Sequence, residues 1–245
     1  MKQVFENRIA LVTGAARGIG RATALTLRAR GALVVATDIS ETVHELSSHG
    51  IVTLTGDIAL EETARRSVAL ALEQFSGLDI LVNNAGRTMN RPLIDMAVED
   101  WDSLMSVNAR GTFLHAREAV RAMIARNGGV IVNVASIVAQ VAMKDTAAYA
   151  ASKGAIAQLT KVIAVEYGDR GVRANAVAPG VIETDILEDI VPDSRATLAS
   201  YGPAHPLGRV GQPQDIAEVI AFLASPASAF MTGSLVTVDG GFTAL

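Results

Sequence analysis

A chain of 245 residues that is 50% hydrophobic but only 4% aromatic, with a formal net charge of −4 and no cysteine, has the size and balance of one α/β unit. The lack of cysteine excludes disulfides, thiolate metal sites and thiol nucleophiles, and no basic run marks a nucleic-acid partner. No apolar run approaches the roughly 18 residues of a membrane span, and Met1–Arg8 carries no apolar leader segment, so a soluble, cytoplasmic globular protein is expected.

Short runs rich in β-branched residues alternate with longer helical patterns. The first run, Ile9–Thr13, reads as a strand; Thr13-Gly14-Ala15-Ala16-Arg17-Gly18-Ile19-Gly20 follows and opens into a helix over Gly18–Arg30. Next come strand Leu33–Thr37 with Asp38 at its end, a helical pattern over Glu41–Ser48, strand Ile51–Thr55, helix Leu60–Phe75 and strand Ile80–Val82. One long helical pattern covers Val98–Arg126, and strand Val130–Ala135 precedes helix Ala148–Tyr167. After strand Val172–Ala178 the rhythm breaks in a proline-bearing stretch from Pro179 to Gly211; helix Gln212–Ala224 and strand Leu235–Val238 close the pattern. Parallel strands need crossover connections, so this alternation predicts a doubly wound Rossmann-type sheet of about seven parallel strands with helices on both faces. Residues 1–245 are expected to form a single domain. A long irregular stretch in a compact domain is usually functional, so residues 181–211 are read as a substrate loop.

Three features of this pattern carry chemistry. A glycine-rich turn between strand and helix lets a pyrophosphate approach backbone N–H groups at the helix start, which marks Gly14, Gly18 and Gly20 as candidate nucleotide contacts. Their spacing is G-x-x-x-G-x-G, not the G-x-G-x-x-G of the general dinucleotide fingerprint. An acidic residue ending the second strand, here Asp38, accepts hydrogen bonds from ribose hydroxyls and repels a 2′-phosphate, favouring NAD over NADP. Arg17 pulls the other way, since a guanidinium pairs with that phosphate; Asp38 as a plain cap for the next segment is the simpler alternative. Finally, Tyr149 and Lys153 stand at i and i+4 of one helix face, where an ammonium favours the phenolate of a side chain that otherwise titrates near ~10.

Further motifs join these: Asp57 after the third strand, Asn83-Asn84-Ala85-Gly86 after the fourth, Asn108 within the long helix, Ser136 at the end of the fifth, and Pro179-Gly180 with Thr184 after the sixth. Together they make the chain resemble the short-chain dehydrogenase/reductase family over essentially its whole length. The resemblance implies hydride exchange between NAD and a secondary alcohol or ketone of polyol, sugar or hydroxy-acid type. It implies Tyr149 as general acid/base, Lys153 on the ribose hydroxyls and lowering the tyrosine pKa, Ser136 on the substrate oxygen, and Asn108 anchoring a relay water. Along the cofactor it places Gly14, Arg17, Gly18, Ile19, Gly20, Asp38, Asp57, Ile58, Asn84, Ala85, Gly86, Tyr149, Lys153, Pro179, Gly180, Ile182 and Thr184. Toward the substrate it places Ser136, Val138, Gln140, Tyr149 and Leu187.

The substrate loop mixes apolar Leu187, Ile190, Val191 and Leu198 with charged Glu188, Asp189, Asp193 and Arg195, so a pocket of medium polarity is expected. His44, His49, His115 and His205 are scattered without ligand spacing, and no metal is expected. Leu104, Val107, Phe113, Leu114 and Met123, with Ile156, Leu159, Ile163 and Val165, recur on more than one helix face. A second apolar face needs a partner, and the resemblance implies four-helix contacts of a homotetramer. A 3-oxoacyl-acyl-carrier-protein reductase is the nearest alternative. Asp38 weighs against it, as does Gly129 where a basic docking residue would stand, while Arg170 leaves it open. A non-catalytic dinucleotide sensor is the alternative of another class.

Overall fold

The computed structural model describes residues 3–126, 128–188 and 190–244. Its frame is one parallel sheet of seven strands: β1 (Ile9–Thr13), β2 (Leu33–Asp38), β3 (Ile51–Thr55), β4 (Ile80–Asn83), β5 (Gly129–Val134), β6 (Val172–Pro179) and β7 (Leu235–Val238), in the order β3-β2-β1-β4-β5-β6-β7. All strands run one way, so all their C-terminal ends lie along one edge. Register fixes which residues meet there: Thr13 with Thr37, Asn83 with Asn133, Val134 with Val177, Pro179 with Val238. The order reverses between β1 and β4, where the chain leaves the edge in opposite directions and opens a crevice.

Alternate residues of each strand face opposite layers. Val12, Val34 and Val82 pack with Leu27, Ile216, Ile220 and Leu223 of α1 (Gly18–Ala29) and α7 (Pro213–Ala224). Leu11, Val35, Leu81 and Ile131 pack on the other side. There they meet Val68, Ala119, Met123 and Ile163 of α2 (Glu61–Phe75), α4 (Gly111–Ile124) and α5 (Ala147–Tyr167). Burial on both faces explains why the strands read as unbroken apolar runs.

Three expectations need correction. Glu41–Leu46 is a 3₁₀ helix, held at its start by the Ser40 side chain. The long pattern over Val98–Arg126 is α3 (Val98–Met105) and α4 joined through a π turn, Ser106–Arg110, and it ends at Ile124. The stretch after β6 holds a short helix, α6 (Ser194–Ala199), capped by Asp193, whose carboxylate accepts the Ala196 N–H at 2.9 Å. Its two ends are fastened together: Glu183 N–H donates to the Gly211 carbonyl and Gly211 N–H to that of Val181, both at 2.9 Å. The loop is thus a closed excursion over the sheet edge. Asp189 lies outside the described residues.

Candidate active site

At the crevice, polar contacts tie the turn after β1 to the end of β4. Thr13 Oγ1 accepts the N–H groups of Asn84 and Ala85 at 3.1 Å each, and Asn84 Nδ2 donates to the Thr13 and Gly14 carbonyls at 3.0 Å. Gly14 has φ +66°, and a Cβ there would stand 2.7 Å from Ala85 Cα; a Cβ on Gly20 would run into the Gly14 carbonyl. Only glycine lets these two strand ends close so tightly. Helix α1 starts from Arg17 in extended conformation with no side-chain cap and no acidic residue in its first turn. First-turn N–H groups and the positive end of the helix dipole therefore fit an anionic group such as a pyrophosphate.

Asp38 serves this turn directly. Its carboxylate accepts the N–H of Ala16 at 2.9 Å and that of Ser40 at 2.9 Å, so it both buttresses the glycine loop and caps the segment after β2. Each carboxylate oxygen keeps further acceptor capacity for a diol. Asp57 accepts the Ala59 N–H at 2.8 Å, while Ile58 packs against Gly111 at the start of α4. Ile182 is buried at the pinched base of the loop, and Thr184 lies against Gly18. Gly180 is pressed on Asp239 beyond β7. Arg17 is paired with Glu188 of the loop, a partner that sequence reading missed.

The second group sits beside this crevice on α5 and the end of β5. Ser136 stands at the end of β5 beside Tyr149, where it favours the phenolate, and the Lys153 ammonium lies 5.6 Å from the Tyr149 ring centre. Lys153 is buried, and its Nζ donates to the Val134 carbonyl at 2.8 Å. Ser136 also accepts the Val138 N–H at 3.3 Å, capping a turn that buries Val138. The expected lowering of the phenol pKa does not dominate: burial pushes the Tyr149 phenol up, opposed by Ser136. Burial likewise pulls Lys153 down to about 8. Desolvation disfavours both charged forms.

Asn108 is fully buried on the π turn, whose extra residue re-aims the chain inward. Its Oδ1 accepts the Arg87 N–H and its Nδ2 donates to the Arg87 carbonyl, both at 2.9 Å. Its own carbonyl accepts the Thr112 hydroxyl at 2.7 Å. A Cβ on Gly86 would stand 3.1 Å from Asn108 Oδ1 and 3.6 Å from Lys153 Nζ, so the β4 loop runs directly past both side chains. Gln140 accepts from Thr237 of β7 at 3.2 Å, a contact sequence reading gave no hint of.

The loop's charges are largely satisfied by one another or by the glycine turn. Arg195 grips Asp185 through two bonds at 2.7 and 3.2 Å, Asp193 caps α6, and Glu188 pairs with Arg17. Ile186 and Ile190 remain exposed and Leu187 half-buried.

A family model described as Enoyl-(Acyl carrier protein) reductase matches residues 14–243. A cis-4-hydroxycyclohexanecarboxylate dehydrogenase of Sinomonas cyclohexanicum is 38% identical, with 100% of both chains aligned. The chain belongs to the short-chain dehydrogenase/reductase family. As a member of it, the protein is an oxidoreductase of the alcohol–carbonyl pair that works with a nicotinamide dinucleotide. Among other family members, a 3-oxoacyl-acyl-carrier-protein reductase of Thermotoga maritima is 40% identical, with 97% of this chain and 98% of that one aligned. The ligand-free aldohexose dehydrogenase of Thermoplasma acidophilum superposes with a TM-score of 0.91 at 29% identity, covering 100% of this chain and 97% of that one. Levodione reductase gives 0.92 at 32% identity, covering 98% and 99%.

Proposed function

We propose that the protein is an NAD-linked dehydrogenase of secondary alcohols with an apolar body, in which Tyr149 is the acid/base. The observation that carries this reading is the pairing of loop charges, which leaves Ile186, Ile190, Tyr201 and Leu207, with half-buried Leu187, as the apolar surface of the substrate loop, residues 181–211. Relatives named for hydroxycyclohexane substrates fit that surface better than an open-chain polyol does.

When bound, the nicotinamide supplies or accepts the hydride. Tyr149 exchanges a proton with the substrate oxygen, and Ser136 donates a hydrogen bond to that oxygen as charge grows on it. Lys153 holds ribose hydroxyls and offers the cation that makes phenolate accessible during oxidation. Gly14, Gly18, Ile19 and Gly20 cradle the pyrophosphate, Asp38 takes the adenosine ribose, and Asp57 with Ile58 flanks the adenine. Asn84, Ala85, Gly86, Pro179, Gly180, Ile182 and Thr184 line the rest of the cofactor cleft. The whole chain works as one nucleotide-binding domain in the cytoplasm. Phe113, Val162 and Val165, exposed on α4 and α5, supply the contacts of a homotetramer.

The test is a panel of cyclohexanol, a linear polyol, a hydroxy acid and a 3-oxoacyl thioester, each with NAD(H) and NADP(H). Cyclohexanol with NAD should give the highest kcat/KM by about tenfold or more, the order of discrimination a few buried methylenes provide. Turnover confined to the 3-oxoacyl thioester with NADPH would overturn the reading in favour of the 40%-identical carrier-protein reductases.

A further inference from the structure

We propose that Ser152 is a positioning residue, which locks the loop after β4 onto the catalytic turn of α5 through Asn108. The inference rests on Tyr149 being the acid/base. Ser152 is fully buried one position before Lys153, on the helix face turned toward α3 and the π turn. Its hydroxyl donates to the Tyr149 carbonyl at 2.7 Å and accepts from Asn108 Nδ2 at 3.0 Å.

The direction of these bonds is forced. A serine hydroxyl has one hydrogen, and the carbonyl of Tyr149 can only accept it. Asn108 must then present its NH₂ to Ser152, which turns its Oδ1 onto the Arg87 N–H. Both Asn108 amide hydrogens are thereby committed, one to Ser152 and one to the Arg87 carbonyl. A single chain of donors runs from the backbone beside Gly86, through Asn108, to the peptide carbonyl of Tyr149.

That carbonyl has a second duty. In an α-helix it accepts the N–H four residues on, which is that of Lys153. Ser152 therefore adds a bond to the one peptide that joins Tyr149 to Lys153 along the helix. Asn108 makes this reach from the π turn. Loss of the hydroxyl would leave a buried amide N–H without a partner and free the Tyr149 carbonyl of its outer restraint.

The experiment compares Ser152→Ala with the unmutated enzyme in alcohol oxidation. Expected is a kcat lower by about tenfold, because small displacements of a catalytic group are costly in rate, with NADH affinity by fluorescence titration within about twofold. The acid limb of the kcat profile should move to higher pH, since a displaced Tyr149 moves away from Ser136 and the nearby ammonium, both of which favour phenolate. If Ser152→Ala does not fold, Ser152→Cys, which keeps a weak donor at similar size, is read in the same two ways. Unchanged kcat and pH profile would overturn the proposal, and so would a loss confined to NADH affinity or folded fraction. Tyr149→Phe separates the levels: an active Tyr149→Phe sinks the underlying assignment, whereas an inactive one beside an unchanged Ser152→Ala sinks only the role of Ser152.

Discussion

Replacing Lys153 by methionine keeps the length of the side chain and removes its charge, and the consequence should depend on pH in a calculable way. In the folded protein burial pulls this amine down to about 8 from its ordinary 10.5. Below pH 8 both folded and unfolded forms carry the proton, and the folded state bears the full penalty of a buried ammonium. Between about 8 and 10.5 the unfolded chain holds a proton that the folded chain has released, so stability rises with pH. Each pH unit of that interval is worth about 1.4 kcal/mol. Relative to Lys153→Met, the unmutated protein without nucleotide should gain about 1 kcal/mol by pH 9 and roughly 2–3 kcal/mol by pH 10, with almost none of it at pH 7. Tyr149 is present in both proteins, so its own titration enters both profiles and largely cancels in the comparison. Urea unfolding of both proteins at pH 7, 9 and 10 measures the difference directly. Parallel stability profiles, or a wild type that weakens relative to the variant as pH rises, would refute the reasoning.

Other substitutions probe the remaining parts of the site. Asp38→Ala removes the acceptor of two backbone N–H groups and of the ribose diol. NAD affinity should fall, affinity for NADP should rise, and stability should drop by about 1–3 kcal/mol; equal or better kinetics with NADP in the unmutated enzyme would contradict the reading of Asp38. Gly14→Ala forces a side chain into φ +66° and against Ala85, so nucleotide binding should be lost; a variant that titrates NADH normally would show that this turn does not hold the pyrophosphate. Val165 is 84% exposed on α5, and light scattering should find four chains of 25.5 kDa in the wild type but smaller particles for Val165→Glu. A wild-type particle of one chain's mass would rule out the tetramer.

The sheet was legible because β1, β2, β4 and β5 are buried on both faces and carry almost nothing but Val, Ile, Leu, Ala and Thr there. Glycines between β1 and α1 were legible for a local reason: the turn needs them within a few residues of each other. The π turn at Asn108 was not, since one inserted residue barely changes helical periodicity over so long a segment. Helix α6 was hidden by the prolines around it, although Asp193 ahead of Ser194 is a cap signal. The pairing of Arg17 with Glu188 and of Asn108 with Ser152 joins residues far apart in sequence, and nothing local announces such contacts. Mixed composition in the loop therefore read as a pocket of medium polarity, whereas Arg195 pairs with Asp185, Glu188 with Arg17, and Asp193 caps α6. Ser152 stood inside the Tyr-x-x-x-Lys motif, but only the direction of its hydrogen bonds gives it a role.

The claim that Tyr149 carries the proton is tested most directly by Tyr149→Phe, with steady-state oxidation of the best alcohol and NADH titration measured on the same preparation. Turnover should fall by roughly 10²–10⁴-fold, the share of general acid–base catalysis, while NADH affinity stays within about twofold of wild type. A variant retaining more than about a tenth of the wild-type rate would contradict the account, because the ring without its hydroxyl has no proton to exchange.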